Sequence, residues 1–161
     1  MKEETFSFSF KVYDDIRELS VSDRELLQRA RDATAHAYAP YSKFYVGAAA
    51  RLSNGEILHS ANQENASFPV GICAERVLLS TVSSIYPGIP IESIAISYRS
   101  ENIASDHPIS PCGMCRQSLS EFEERMLSPI RLVLGGLEGK IYVLSSVGLL
   151  LPLCFTSDEL N

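Results

Sequence analysis

No apolar stretch in this sequence approaches the roughly 18 uninterrupted residues of a membrane span, and the start, Met1-Lys2-Glu3-Glu4, lacks the apolar core of a signal peptide. Both absences point to a cytoplasmic protein. Cations are scarce as well: 14 Lys and Arg stand against 20 Asp and Glu, a formal net charge of -6. Affinity for a nucleic-acid backbone comes chiefly from cations that neutralise phosphates, so a small molecule is the better partner. Internal repeats, low-complexity tracts and linkers are missing, and 161 residues suit one domain. The three histidines, His36, His59 and His107, have no metal-ligand spacing and read as non-catalytic.

What the chain does have is cysteine in a telling pattern. Four cysteines could make two disulfides, but in a reducing compartment close spacing more often means metal. Cys73-Ala74-Glu75 and Pro111-Cys112-Gly113-Met114-Cys115 together supply three thiolates and one carboxylate. A structural zinc is normally closed by four protein ligands, whereas a catalytic one has three and keeps a position for water. Cys154, in Leu151-Pro152-Leu153-Cys154-Phe155, reads as a small core residue rather than a fourth ligand.

Periodicity supplies the frame. Leu26, Leu27, Ala30, Ala33 and Ala37 predict a helix over 23–39, with Ser22 and Glu25 as a capping box and Pro40 as the stop. Apolar runs at 44–52 and 56–60 flank Asn54-Gly55, a strong hairpin signal. A polar loop at 62–72 leads into a helix at 73–85, a strand at 91–98, a second polar loop at 99–110 and a helix at 112–124 behind Pro111. Strands at 130–134 and 140–144 follow. Their five-residue link, Gly135 to Gly139, is too short for a parallel crossover and demands an antiparallel hairpin. This order predicts an α/β fold, a mixed five-stranded sheet with helices packed on it. Residues 1–22 form an N-terminal extension in which Phe6-Ser7-Phe8-Ser9-Phe10 alternates like an edge strand, although a tail ordered only in an oligomer fits equally; residues 23–161 form the domain.

The cysteine pattern makes sense on this frame. Cys112 and Cys115 lie three apart in the first turn of a helix, so their sulfurs share a face. Cys73 begins another helix. Cys73 and Glu75, two apart, can serve one ion only if it sits off the helix end, where the positive poles of two helix dipoles favour thiolates. Three thiolates leave zinc formally at minus one, which makes a bound water less acidic. Arg76 is the candidate to withdraw that charge by donating hydrogen bonds to a thiolate, against the ordinary alternative of a surface arginine in an ion pair.

Beyond the cysteines, Tyr41-Ser42-Lys43-Phe44-Tyr45-Val46-Gly47-Ala48-Ala49, Asn62-Gln63-Glu64-Asn65-Ala66-Ser67, Cys73-Ala74-Glu75-Arg76, Ser110 to Gln117, and Leu150-Leu151-Pro152 with Phe155 resemble the small homotetrameric zinc-dependent cytidine deaminases. The resemblance runs over 23–161. It implies a three-layer α/β/α fold, one Zn²⁺ per subunit on Cys73, Cys112 and Cys115, and hydrolytic deamination of cytidine and deoxycytidine to uridine and deoxyuridine plus ammonia in pyrimidine salvage. In that reaction zinc hydroxide attacks C4 and Glu75 shuttles the proton. The resemblance also implies Asn62 and Glu64 on the ribose, backbone of Ala66 and Ala74 on the pyrimidine edge, and Phe44 and Phe155 against the ring. Phe155 would reach a neighbouring subunit's pocket in a homotetramer. Taken singly, the two phenylalanines would pass as core aromatics, and Asn62 and Glu64 as solvated loop residues. The chain departs from the family at Phe68, where Tyr is frequent, and at Met114, where a small residue is usual. Competing readings are a related aminohydrolase for a modified cytosine nucleoside, an editor of tRNA or single-stranded DNA, which would want a basic surface, and a structural zinc module without catalysis.

Overall fold

The computed structural model describes residues 1–160. In chain order the elements are β1 (Lys11–Tyr13), α1 (Val21–Ala33), β2 (Phe44–Leu52), β3 (Ile57–Ala61), α2 (Ala74–Ile85), β4 (Ile91–Ser100), α3 (Gly113–Met126), β5 (Arg131–Gly135) and β6 (Ile141–Leu144). They form one mixed sheet in the order β1-β6-β5-β4-β2-β3. Only β4 and β5 run parallel, joined through α3, and every other pairing is antiparallel. The short link expected from Gly135 to Gly139 does make a β5–β6 hairpin, with Gly135 itself the last residue of β5 and paired with Ile141, and Asn54-Gly55 turns β2 into β3 with Gly55 at φ +88.

Helices cover both faces of the sheet, which explains the small residues at the centre of β2. Ala49 faces α1, in a cluster with Leu26, Leu27, Ala30, Ala95 and Val133. Ala48 and Ala50 face the opposite way, into a larger cluster with Leu78 and Val82 of α2 and Leu119 and Phe122 of α3. Three layers result, and strands buried on both sides lose the polar alternation of a half-exposed sheet. Helix and sheet press together at Gly47, where a Cβ would overlap the carbonyl oxygen of Ala30. Asp23, buried in the first turn of α1, accepts from Nη2 and Nε of Arg131 at 2.6 and 3.2 Å and so ties that helix to the start of β5.

The structure corrects the sequence reading in three places. The sheet has six strands, not five: β1 pairs with the otherwise open edge of β6, Val12 opposite Tyr142. This edge strand lies at 11–13 rather than in the phenylalanine run, whose rings line up alongside it, Phe10 reaching Tyr142 at a centroid distance of 4.8 Å. Helix α1 is capped by Ser20, whose hydroxyl accepts from the amide of Asp23 at 3.1 Å, so it begins two residues before the expected start and does not use a Ser22–Glu25 box. It also ends at Ala33 and tightens into a 3-10 turn, Thr34–His36, well before Pro40. Among the described residues no helix is long and apolar enough to cross a membrane.

The contact at Gly47 yields a stability prediction. Gly47→Ala should lower stability by about 1–3 kcal/mol, read as a fall in the urea midpoint at unchanged m-value, because the added methyl meets backbone rather than a side chain that can swing away. An unchanged midpoint would show that α1 can shift outward freely.

Candidate active site

Two helix starts meet at one end of the sheet. Cys73 is the N-cap residue of α2 and Cys112 that of α3, and neither side chain caps its helix. Both sulfurs are therefore free to face outward along the helix axes, and Cys115, one turn into α3 and fully buried, joins them. The Cys73 and Cys112 sulfurs are 3.9 Å apart, those of Cys112 and Cys115 3.5 Å, and all three lie within 4.8 Å of one another. A tetrahedral zinc with Zn–S bonds of about 2.3 Å places its sulfurs about 3.8 Å apart, so this trio is the right size to hold zinc. Cys154 is not a member: its sulfur lies 3.5 Å from Ser120 Oγ, away from the cluster.

The thiols share their protons unequally. A hydrogen bond from the Cys115 thiol brings the Cys73 thiol down to about 6, against partial burial and the charge of Glu75. The reciprocal contact with Cys73, then burial, then Glu75 push Cys115 up. Of this pair Cys73 carries the thiolate more readily, and the N-terminal dipole of α2 also favours it there.

Glu75 lies beside this trio and is 5% exposed. Burial raises its pKa above the ordinary carboxylate value, with opposing help to the anion from the Cys115 thiol. Ser60 fixes the turn that carries Glu75, its buried hydroxyl donating to the carbonyl of Ala74 at 2.7 Å. Glu75, Cys73 and Cys112 all open onto a cavity of about 480 Å³, within the range of small-molecule sites. Its walls also include Phe44, Val46, Asn62, Glu64, Phe68, Ile72, Ile109 and Ser110.

Asn62 and Glu64 line the same cavity with part of their bonding already used. Asn62 Oδ1 accepts from the amide of Val46 at 2.7 Å and its Nδ2 donates to the carbonyl of Phe44 at 3.0 Å. Glu64 Oε2 accepts from the amides of Tyr41 and Ser42 at 2.9 and 3.3 Å. Although partial burial works upward on Glu64, hydrogen bonds from Ser42 and Tyr41 hold its carboxyl below the usual value. A carboxamide carries two N–H groups and a carboxylate two oxygens, so one donor and one acceptor remain for a ligand.

The sequence-derived residues do not all converge. Cys73, Cys112, Cys115, Glu75, Phe44, Asn62 and Glu64 meet at the cavity, whereas Ala66 and Ala74 do not line it. Phe155 is 59% exposed, its carbonyl accepting from Nε2 of Gln117, and it lies outside this chain's own cavity. Arg76 faces a separate surface groove with Ser80, Ser83 and Arg125; its charge lowers the Cys73 pKa slightly, without a hydrogen bond to a sulfur. Sequence reasoning missed Arg116, whose guanidinium donates to the carbonyls of Pro111 (2.9 Å) and Leu150 (3.0 Å) and braces the approach to Cys112. Its place one residue after Cys115 was the available signal.

A buried carboxyl beside a three-sulfur metal site, opening onto a cavity at the end of a mixed sheet, is the arrangement of a zinc-dependent deaminase. The comparisons narrow this class. Residues 20–128 match the family described as the cytidine and deoxycytidylate deaminase zinc-binding region, and the chain belongs to that family. It is 36% identical over 140 residues to a cytidine deaminase of Halalkalibacterium halodurans, covering 86% of this chain and 98% of the relative. A cytidine deaminase of Sporosarcina psychrophila is 34% identical over 138 residues, covering 85% and 93% respectively. The crystal structure of cytidine deaminase from Burkholderia pseudomallei superposes with a TM-score of 0.71 at 35% identity, covering 85% of this chain and all of that one.

The three-sulfur assignment predicts metal content. Cys112→Ser and Cys115→Ser should lose most of the zinc found by elemental analysis, while Cys154→Ser should keep about one ion per chain. Zinc loss from Cys154→Ser equal to the other two would show a different ligand set.

Proposed function

We propose that this protein hydrolyses cytidine and deoxycytidine to uridine and deoxyuridine with release of ammonia, in the cytoplasm, with Glu75 as the proton-carrying residue. The observation that carries the reading is the buried Glu75 carboxyl, set against the Cys73, Cys112 and Cys115 sulfurs and open to the cavity. Zinc held by the three sulfurs supplies Lewis acidity that makes water nucleophilic at neutral pH. Glu75 takes a proton from the water that adds to C4 of the cytosine, delivers it to N3, and then carries the water's second proton to the departing amine. Water adds, ammonia leaves, and the carboxylate is regenerated. A carboxyl shielded from solvent suits this work, since its pKa rises toward that of the groups it serves.

The remaining residues hold the substrate. The free Nδ2 hydrogen of Asn62 donates to the ribose 3′-hydroxyl, which in turn donates to Oε1 of Glu64. Phe44 packs against the pyrimidine, in a cavity that Ile109 also lines. Neither sugar contact involves the 2′-hydroxyl, in keeping with acceptance of both nucleosides. Arg76 acts on the sulfurs by charge alone, tempering their donation to the metal.

The chain also works as a homotetramer in which Phe155 enters a neighbour's cavity. Support comes from exposed aromatics around the cavity mouth, Tyr41 at 51% and Phe68 at 76%, and from Phe155 itself pointing away from its own site. Such surfaces are costly to leave in water and usually mark an interface.

Two experiments test the reading. Glu75→Gln should retain zinc yet lower kcat by about 10²–10⁴-fold, followed as uridine and ammonia from cytidine; zinc-loaded wild type without turnover would refute the assignment. Co-expressed Glu75→Gln and Phe155→Ala chains should form mixed assemblies more active than either variant alone, because one site in the mixture regains both groups. Activity equal to the average of the two would mean that Phe155 serves no neighbour.

A further inference from the structure

The Phe44 wall has a second aromatic behind it. Its ring stacks on Tyr98 with centroids 5.0 Å apart and planes 17° from parallel. Tyr98, in β4 opposite Val46 of β2, is wholly buried and takes no part in the chemistry described above. Its hydroxyl donates to the carbonyl of Ala104 at 3.1 Å. The His107 ring lies against the same oxygen, Nδ1 at 3.1 Å and Nε2 at 3.3 Å, and its Nδ1 also meets Asp106 Oδ1 at 3.0 Å. Tyr98 thereby joins Phe44 to the loop between β4 and α3, and this loop runs on through Ile109 and Ser110, which line the same cavity, to Cys112.

The loop itself has little freedom to slide. Ser105 Oγ accepts from the amide of Ser100 at 3.1 Å, and the Ser105 carbonyl accepts from the amide of Glu138 at 3.2 Å. Behind it, a Cβ at Gly136 or Gly139 would overlap the carbonyl oxygens of Ser105 and Asp106, so the β5–β6 turn is pressed directly against it. With the loop clamped and the Tyr98 ring enclosed, the placement of Phe44 relative to this loop follows from the span between the Phe44 ring and the Tyr98 hydroxyl.

We propose that Tyr98, held by His107, is a positioning residue that fixes the width of the cavity and so determines how closely Phe44 and Ile109 grip the substrate ring. The inference rests on the reading that a pyrimidine nucleoside occupies this cavity. Dispersion contacts weaken by a quarter to a half when a gap opens by about 0.5–1 Å, so a small loss of register between the walls loosens binding. The reacting atoms feel it less, because Glu75 and the sulfurs are anchored separately through Ser60 and the helix starts.

The test is steady-state kinetics on cytidine with Tyr98→Phe, which keeps the ring and removes only the hydroxyl, and with His107→Ala. Both should raise KM about three- to tenfold, the worth of one hydrogen bond, with kcat within about a factor of two of wild type and zinc content unchanged. The double variant should be no worse than Tyr98→Phe alone, since losing the hydroxyl already removes the His107 contact. Unchanged KM in Tyr98→Phe, a fall in kcat at constant KM, or additive effects in the double variant would each overturn the inference while wild-type turnover left the deaminase reading intact. An inert wild type would instead overturn the reading beneath it.

Discussion

Everything in this molecule is arranged around the meeting of two helix N-termini at a single point. A helix that begins with Ser, Thr, Asp or Asn satisfies one of its own free amides, but α2 and α3 begin with Cys73 and Cys112, which do not. Both helix starts are thus left to other devices, and the cost falls at the place where three sulfurs crowd within 4.8 Å. A zinc ion held by Cys73, Cys112 and Cys115 would draw the sulfurs together and neutralise their charge as thiolates. Because such a site is assembled only in the folded chain, its binding energy contributes directly to folding.

The scaffold holds those two starts in register by several independent ties. Ser60 links the end of β3 to the first turn of α2, and Arg116 links the first turn of α3 to the backbone on either side of it. Glu123, at the other end of α3, accepts from the amides of Ile130 and Val147 and from the Ser146 hydroxyl, so the helix cannot rotate without breaking the entry to β5. On the opposite face α1 lies so close to β2 that only glycine fits at position 47. Alanines at 48, 49 and 50 serve the same end, thinning the sheet so that three layers close tightly enough to keep Glu75 from water.

Much of this was readable from residue order alone, and the reasons are local. The β2–β3 hairpin follows from Asn54-Gly55, α2 from its apolar stripe, and the antiparallel β5–β6 pair from the length of its link. The metal trio was visible because spacing on a helix fixes which side chains share a face. What stayed hidden depends on distant partners. Three residues of β1 become a strand only because β6 offers an open edge, and the cap falls on Ser20 rather than Ser22 because of where the chain enters α1. Arg76 looked near the sulfurs because it follows Glu75, but one residue turns a helical side chain by about 100°, and it emerges on the surface. Tyr98 and His107 carry no motif at all; their connection exists only once β4 and its following loop have folded back on each other.

The double duty of Asn62 has an evolutionary consequence. Its carboxamide bridges the amide of Val46 and the carbonyl of Phe44 while its own backbone joins β2 and Tyr38, so it is a staple of the sheet entrance as well as the residue proposed for the sugar. A lineage that altered this position to accept a different sugar would loosen the first strand of the core at the same step. Preference on the sugar side is therefore frozen by the fold, and descendants with new tastes would most readily diverge on the side of the base.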